Sequence, residues 1–296
     1  MDAFSKGNLF DPILVADLVN KVKGSSALAI LSQQTPIPFN GMKEFTFTLD
    51  QDVDIVAENG KKSHGGVTLE PVITRPLKVE YGARISDEFL IASQEEKIII
   101  LKAFNDGFAK RVARGLDLMA FHGLNPRTKE KSTVIGDNNF NEKVTQTVQI
   151  DAGMADPETA VESAVGVVRG TNNIVTGMAM APVFATALAK LKVNGVRQYP
   201  ELAWGANPDS LKGLGLSVNS TVSEGNGIKD RLILGDFANR FKWGYAKTIP
   251  LEVIQYGDPD NSNKDLKGYG QVYLRAEAYI GWGILDPTAF AIVKEA

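Results

Sequence analysis

Leu77-Lys-Val-Glu-Tyr-Gly-Ala-Arg-Ile-Ser-Asp-Glu-Phe-Leu90 is the stretch on which the fold turns. Leu77, Val79, Tyr81, Ala83 and Ile85 occupy alternate positions, opposite Lys78, Glu80, Gly82, Arg84 and Ser86. That is the two-residue period of a strand with one face covered. Past Leu90 the period changes. Ser93-Gln-Glu-Glu96 is a capping box, and behind it Leu101, Phe104, Phe108 and Val112 recur at spacings of three and four, continuing through Leu116 and Met119. The spacing predicts a helix over 94–122, about 40 Å long. Gly107 and Gly115 each cost roughly 1 kcal/mol within it, and so mark a bend or a close approach.

On the N-terminal side, Phe45, Phe47 and Leu49 alternate with Thr46 and Thr48, the pattern of a half-buried strand. Acidic residues follow at Asp50, Asp52 and Asp54. Glu58-Asn-Gly-Lys-Lys-Ser-His-Gly-Gly66 is a polar, turn-rich tip. The chain then returns through Val67 to Ser86, interrupted by Pro71 and Pro76, which belong on exposed edges. The expected ribbon, 36–84, is marginal in water by itself. It needs a surface, supplied by its own domain or by a neighbouring subunit. Residues 1–35 read as an arm, with a short amphipathic helix starting near Asp11, Pro12 at its first position, and Gly24-Ser25-Ser26 ending it.

On the C-terminal side, 124–151 is polar, closing on a strand-like Val144–Ile150. Asp156-Pro-Glu158 begins a helix that runs through Val168 and ends at Asn172-Asn173. Ile174–Thr176 reads as a strand and Pro182–Leu191 as a helix stopped by Asn194-Gly195. Short strands are expected at Leu214–Val218, Arg231–Leu234 and Leu251–Gln255. Gln271–Ile280 alternates cleanly. This mixture describes an α+β fold.

The 296 residues, 44% hydrophobic and 23% charged, can bury a sizeable core. There is no cysteine, which removes disulfides and thiolate chemistry, and only two histidines, His64 and His122, so a multi-histidine metal site is not expected. No run reaches the roughly 18 apolar residues of a membrane span, and no secretory signal is visible, so the chain is expected in the cytosol where it is made. The net charge is −3, without the basic excess of a specific nucleic-acid binder. Phosphate-loop, HExxH, EF-hand and GxSxG patterns are absent. Gly213-Leu-Gly215 lacks the third glycine of a dinucleotide fingerprint. Ser86-Asp87-Glu88 suits a helix start, and Asn219-Ser-Thr221 matters as a sequon only on a secretory route. No catalytic residue, cofactor or metal is expected.

The order of features resembles the HK97-type major capsid protein of tailed phages. Val56-Ala-Glu-Asn-Gly60 and Val67-Thr-Leu-Glu-Pro-Val are similar to that family's extended loop. Leu77–Leu90 resembles the strand and turn before its spine helix, and Gly115-Leu-Asp-Leu-Met-Ala-Phe-His-Gly123 the end of that helix. Leu234-Gly-Asp-Phe237 resembles the Gly-Asp-Phe turn of the axial domain, and Asp286-Pro-Thr-Ala-Phe290 the C-terminal Pro-x-Ala-Phe.

The resemblance implies an N-terminal arm at 1–35, an extended β-ribbon loop at 36–84, a peripheral domain at 85–150 and 265–296 containing the spine helix, and an axial domain at 151–264. It implies self-assembly through hexamers and pentamers, in the host cytoplasm, into an icosahedral shell around a double-stranded DNA genome. The ribbon tip, Asn59, Gly60, Lys61, Lys62, Ser63 and His64, would be an interface. Lys102, Lys110, Arg111 and Arg114, otherwise read as a solvated helix face, would line the lumen and touch DNA weakly, partly neutralised by neighbours such as Asp106 and Asp117. A short arm implies a separate scaffold protein or none, and a portal would be a further partner. Some family members form Lys–Asn crosslinks assisted by a glutamate. Lys61, Lys62 and Glu277 could serve, but no asparagine follows Asn263, so no crosslink is expected. Two alternatives are an encapsulin-type compartment enclosing a cargo enzyme and an α/β enzyme without a recognisable motif.

Overall fold

The computed structural model describes residues 26–91 and 94–296. The arm helix expected from Asp11, and Ser93 of the capping box, lie outside them. Along the described chain, α1 (Ala27–Leu31) leads to β1 (Met42–Leu49), β2 (Val67–Thr74) and β3 (Leu77–Ser86). A 3-10 turn capped by Ser86 enters the long helix α2 (Gln94–His122). Then come α3 (Phe140–Lys143), β4 (Thr147–Ile150), α4 (Pro157–Gly170), β5 (Gly177–Met180) and α5 (Pro182–Lys190). Two hairpins follow, β6 (Lys192–Val193) with β7 (Val196–Arg197), and β8 (Ser210–Leu211) with β9 (Leu214–Val218). The remaining elements are β10 (Asp230–Gly235), α6 (Phe237–Arg240), β11 (Phe241–Ile254), β12 (Gln271–Ile284) and β13 (Phe290–Glu295).

Local chemistry sets the helix ends. Asp156 accepts from the Thr159 N–H at 3.1 Å with Pro157 in the first turn of α4. Helix α2 stops at Gly123, whose φ of +68° is open to glycine at little cost. Gly115 marks a close approach: a Cβ there would lie 3.2 Å from Pro126. Asn194-Gly195 does not stop a helix as expected. With φ of +51° and +82° it forms the tight turn between β6 and β7.

Three sheets carry the architecture. β1 and β2 pair antiparallel as a free-standing ribbon. β11, β12 and β3 form a three-stranded antiparallel sheet in that order. The third is six-stranded, in the order β4-β13-β10-β5-β9-β8, with β4 parallel to β13 and β5 parallel to β9. Helix α4 packs on β13, β4 and β10 of this sheet. The core sits where the sheets meet, around Phe121, Phe140, Phe237, Phe241 and Phe290. Phe140 lies 5.0 Å from Phe290 and 5.6 Å from both Phe121 and Phe241, mostly edge to face.

The sheets depart from the segments expected in sequence. The ribbon ends at Thr74, not at 84: Pro76 separates it from β3, which pairs with β12 instead. Strands β4 and β13, placed with the peripheral segments, belong to the six-stranded sheet of the central region. Conversely β11, placed with the axial segment, pairs with β12 over nearly its whole length. Backbone pairing between distant segments, rather than contiguity, decides membership.

Candidate functional site

The ribbon is anchored at its root. Glu44 on β1 pairs with Lys242 on β11, and Thr74, 1% exposed, packs over Gly281 and Gly283 of β12. Beyond that root it leaves the body of the protein. Register sets Phe45 opposite Pro71, Phe47 opposite Leu69 and Leu49 opposite Val67, so these six side chains share one face.

That face is turned to solvent. Phe45, Phe47 and Leu49 are 55%, 63% and 65% exposed, while Glu44 and Thr46 on the other face are half-buried. The alternation expected of a half-buried strand is present, but the apolar set is the uncovered one. Fully burying a large apolar side chain is worth about 1.5–3 kcal/mol, so the face holds several kcal/mol that folding of this chain alone leaves unused.

Past the strands, Val53 and Ile55 are each 96% exposed. The tip turns at Asn59, φ +63°, where the Gly60 N–H donates to the Ala57 carbonyl at 2.8 Å. Asn59, Gly60, Lys61, Lys62, Ser63 and His64 are all exposed, and none of their side chains bonds another described residue.

Helix α2 presents a second surface. Leu101, Phe108, Val112, Leu116 and Met119 are buried and Phe104 half-buried, as the spacing predicts. Lys102, Lys110 and Arg111 are exposed and form no ion pair with a described residue. Arg114 differs: it pairs with Glu224, which also takes Lys129 at 3.0 Å. The two cations hold the Glu224 carboxyl below its usual range against the opposing effect of burial.

Asp117 does not neutralise these cations. It points inward, 0% exposed. It accepts from the Ser26 hydroxyl, the Ala27 N–H at 2.9 Å, the Leu28 N–H at 3.2 Å and the Thr221 hydroxyl at 2.7 Å. The carboxylate thus caps α1 from another helix and fastens α1 to α2. Burial pushes its carboxyl up, partly opposed by these four donors. The sequence carried a signal for this role, a carboxylate on an otherwise apolar stretch, Leu116-Asp-Leu-Met-Ala-Phe121.

His122, the last residue of α2, is also buried. Its Nε2 lies 2.9 Å from the Thr221 carbonyl and its Nδ1 3.1 Å from Asn141 Nδ2 and 3.4 Å from Asp230. Glu277 is engaged by its own chain, with Lys78 at 2.6 Å. Among the described residues no group of three or more His, Cys, Asp or Glu is placed to hold a metal, and no helix is long and apolar enough to cross a membrane.

An uncovered apolar ribbon, a long helix and two sheets describe a part of something larger. Residues 7–294 match the phage capsid family. The chain belongs to that family. Among solved structures, this capsid protein is similar to a chain from Mycobacterium phage Ogopogo, with 31% identity, a TM-score of 0.80 and 92% of each chain covered. A Gordonia phage Cozz chain is 24% identical, with a TM-score of 0.76 over 91% of this chain and 86% of that one. The capsid of an empty GTA particle shares the fold at 14% identity, TM-score 0.67, over 92% and 97% of the two chains. No curated protein matches. The fold is HK97-like, and the protein is a structural component of the virion, a major capsid protein that associates with itself to form the shell.

Proposed function

We propose that this capsid protein closes, through hexamers and pentamers, into the icosahedral shell around the double-stranded DNA genome of a tailed phage. The observation that carries the reading is the ribbon, whose apolar face is the exposed one. A second copy of the chain covers Phe45, Phe47, Leu49 and Leu69 and supplies the surface the ribbon lacks. The tip residues Asn59–His64 then adapt to the neighbour's contour, and the work is architectural, with no catalytic step. Sheet membership supports a division into an axial domain, built on the six-stranded sheet with α4 and α5, and a peripheral domain, built on the three-stranded sheet with α2. Lys102, Lys110 and Arg111 face the lumen and contact packaged DNA weakly. Assembly takes place in the host cytoplasm, with a portal as a further partner.

Sedimentation velocity tests the reading. The chain, expressed alone or with a scaffold protein, gives capsomers or shells, whereas a Phe47→Asp variant gives folded subunits that do not assemble in either condition. Assembly of the variant at the native level would remove the ribbon from the interface.

A further inference from the structure

The loop between β11 and β12 contains Asp258-Pro-Asp-Asn-Ser-Asn-Lys264. Its oxygens converge on a single nitrogen from another element. Nη2 of Arg84, on β3, lies 2.7 Å from Asp258 Oδ1, 2.5 Å from Asp260 Oδ1, 2.6 Å from Ser262 Oγ and 2.8 Å from the Lys264 carbonyl. Nε takes the other Asp260 oxygen at 2.9 Å, and Nη1 reaches Gln271 Oε1 at 3.2 Å. One guanidinium nitrogen has two hydrogens, so the four oxygens share them in bifurcated bonds and together surround the nitrogen.

The donors are the first, third, fifth and seventh residues of the loop, the last through its backbone carbonyl. A calcium loop of the EF-hand type arranges its ligands in the same order. Its sixth residue is a glycine at a sharp turn, and the sixth residue here, Asn263, has φ +62°. Asp258 also braces the loop from within, accepting from the Ser262 N–H at 3.0 Å and the Asn263 N–H at 2.7 Å.

Two departures favour a resident guanidinium over a metal. Only two carboxylates face the focus, and the twelfth position, where a calcium loop has a bidentate glutamate, is Tyr269. A tethered guanidinium is always charged and cannot diffuse away. We propose that residues 258–264 form a cation-binding loop whose resident cation is the side chain of Arg84. The tip of the β11–β12 hairpin is therefore ordered without divalent metal and tied to the strand that leads into α2. Removing the guanidinium exposes a weak divalent-cation site. The strong depression of the Asp260 carboxyl, caused first by its hydrogen bond from Arg84, agrees with this.

Trypsin reports on the loop directly, because the Lys264 carbonyl is both a ligand and the bond to be cut. In the full chain, cleavage after Lys264 is expected to be slow and equal in EDTA and in calcium. Arg84→Ala should be cleaved at least about tenfold faster as local order is lost. Calcium at about 10 mM, above the 10⁻⁴–10⁻³ M range of weak calcium loops, should restore slow cleavage. Asp260→Asn, on the exposed loop, should also speed cleavage in a folded chain, and decides the matter if Arg84→Ala does not fold. The proposal is overturned if EDTA speeds cleavage of the native chain, if either folded variant stays protected, or if calcium fails to slow cleavage of folded Arg84→Ala.

Discussion

Asp117 concentrates at one residue the connection between α1, the long helix α2 and the turn at Thr221. It ends the hydrogen-bonding debt of two N–H groups at the start of α1 and of the Ser26 and Thr221 hydroxyls. Asp117→Ala leaves these donors buried without an acceptor, at a cost of about 1–3 kcal/mol for an unsatisfied buried group and more where several are stranded. Denaturant unfolding should show a loss of about 3 kcal/mol or more. The pH dependence has a definite sign. Burial raises the folded carboxyl above its unfolded value of 3.8. The folded state thus binds the proton more tightly, and this contribution is full below pH 3.8 and lost as pH rises through the folded value. The stability gap between the native chain and Asp117→Asn should therefore narrow from pH 4 toward neutrality. A gap that widens with pH would mean that the four donors outweigh burial.

At the scale of elements, β11 shows what a pattern conceals. Gly244 and Pro250 interrupt its sequence, and only Leu251–Gln255 reads as a strand. The strand runs from Phe241 to Ile254, with register shifts after Tyr245 and after Ile249 that absorb the irregular residues. Gly244 is required by a neighbour: the extended segment after α1 crosses here, with the Thr35 N–H donating to the Trp243 carbonyl at 2.8 Å, and a Cβ at 244 would overlap the Thr35 carbonyl. Gly244→Ala should lower stability by about 1–3 kcal/mol, as overpacking does, measured by thermal or denaturant unfolding. No loss would show that this segment is easily displaced. By contrast α2, α4 and β12 were legible because each has a long period or a clear cap; the burial of β12 alternates strictly from Gln271 to Ile280. Strand β13 was not, because Phe290-Ala-Ile-Val is buried on both faces and shows no period.

At the scale of the whole molecule, the mixed fold class and the order of ribbon, long helix and central region were legible in the sequence. Sheet membership was not, because β4, β10 and β13 are brought together by pairings that local patterns do not encode. Nor could alternation alone say which ribbon face is covered: the Phe45, Phe47, Leu49 set looks the same whether its own domain or another subunit lies against it.

Charge is the second property of the whole. The chain is net acidic at −3, with Lys102, Lys110 and Arg111 exposed and Arg114 taken by Glu224. Free subunits should bind double-stranded DNA only in the non-specific range, about 10⁻⁴–10⁻⁶ M at physiological salt, and less as salt rises. Filter binding checks this, and affinity near 10⁻⁸ M, the range of specific DNA proteins, would contradict a passive lining.

The central claim is that the exposed apolar face of the ribbon is covered by another copy of the chain. Hydroxyl-radical footprinting with mass spectrometry, on free subunits and on assembled shells, tests it most directly. Phe45, Phe47 and Leu69 should be oxidised readily in free subunits and be largely protected in shells, while buried Phe140 and Phe290 change little in either. Equal oxidation of Phe45 and Phe47 in both states would contradict the account.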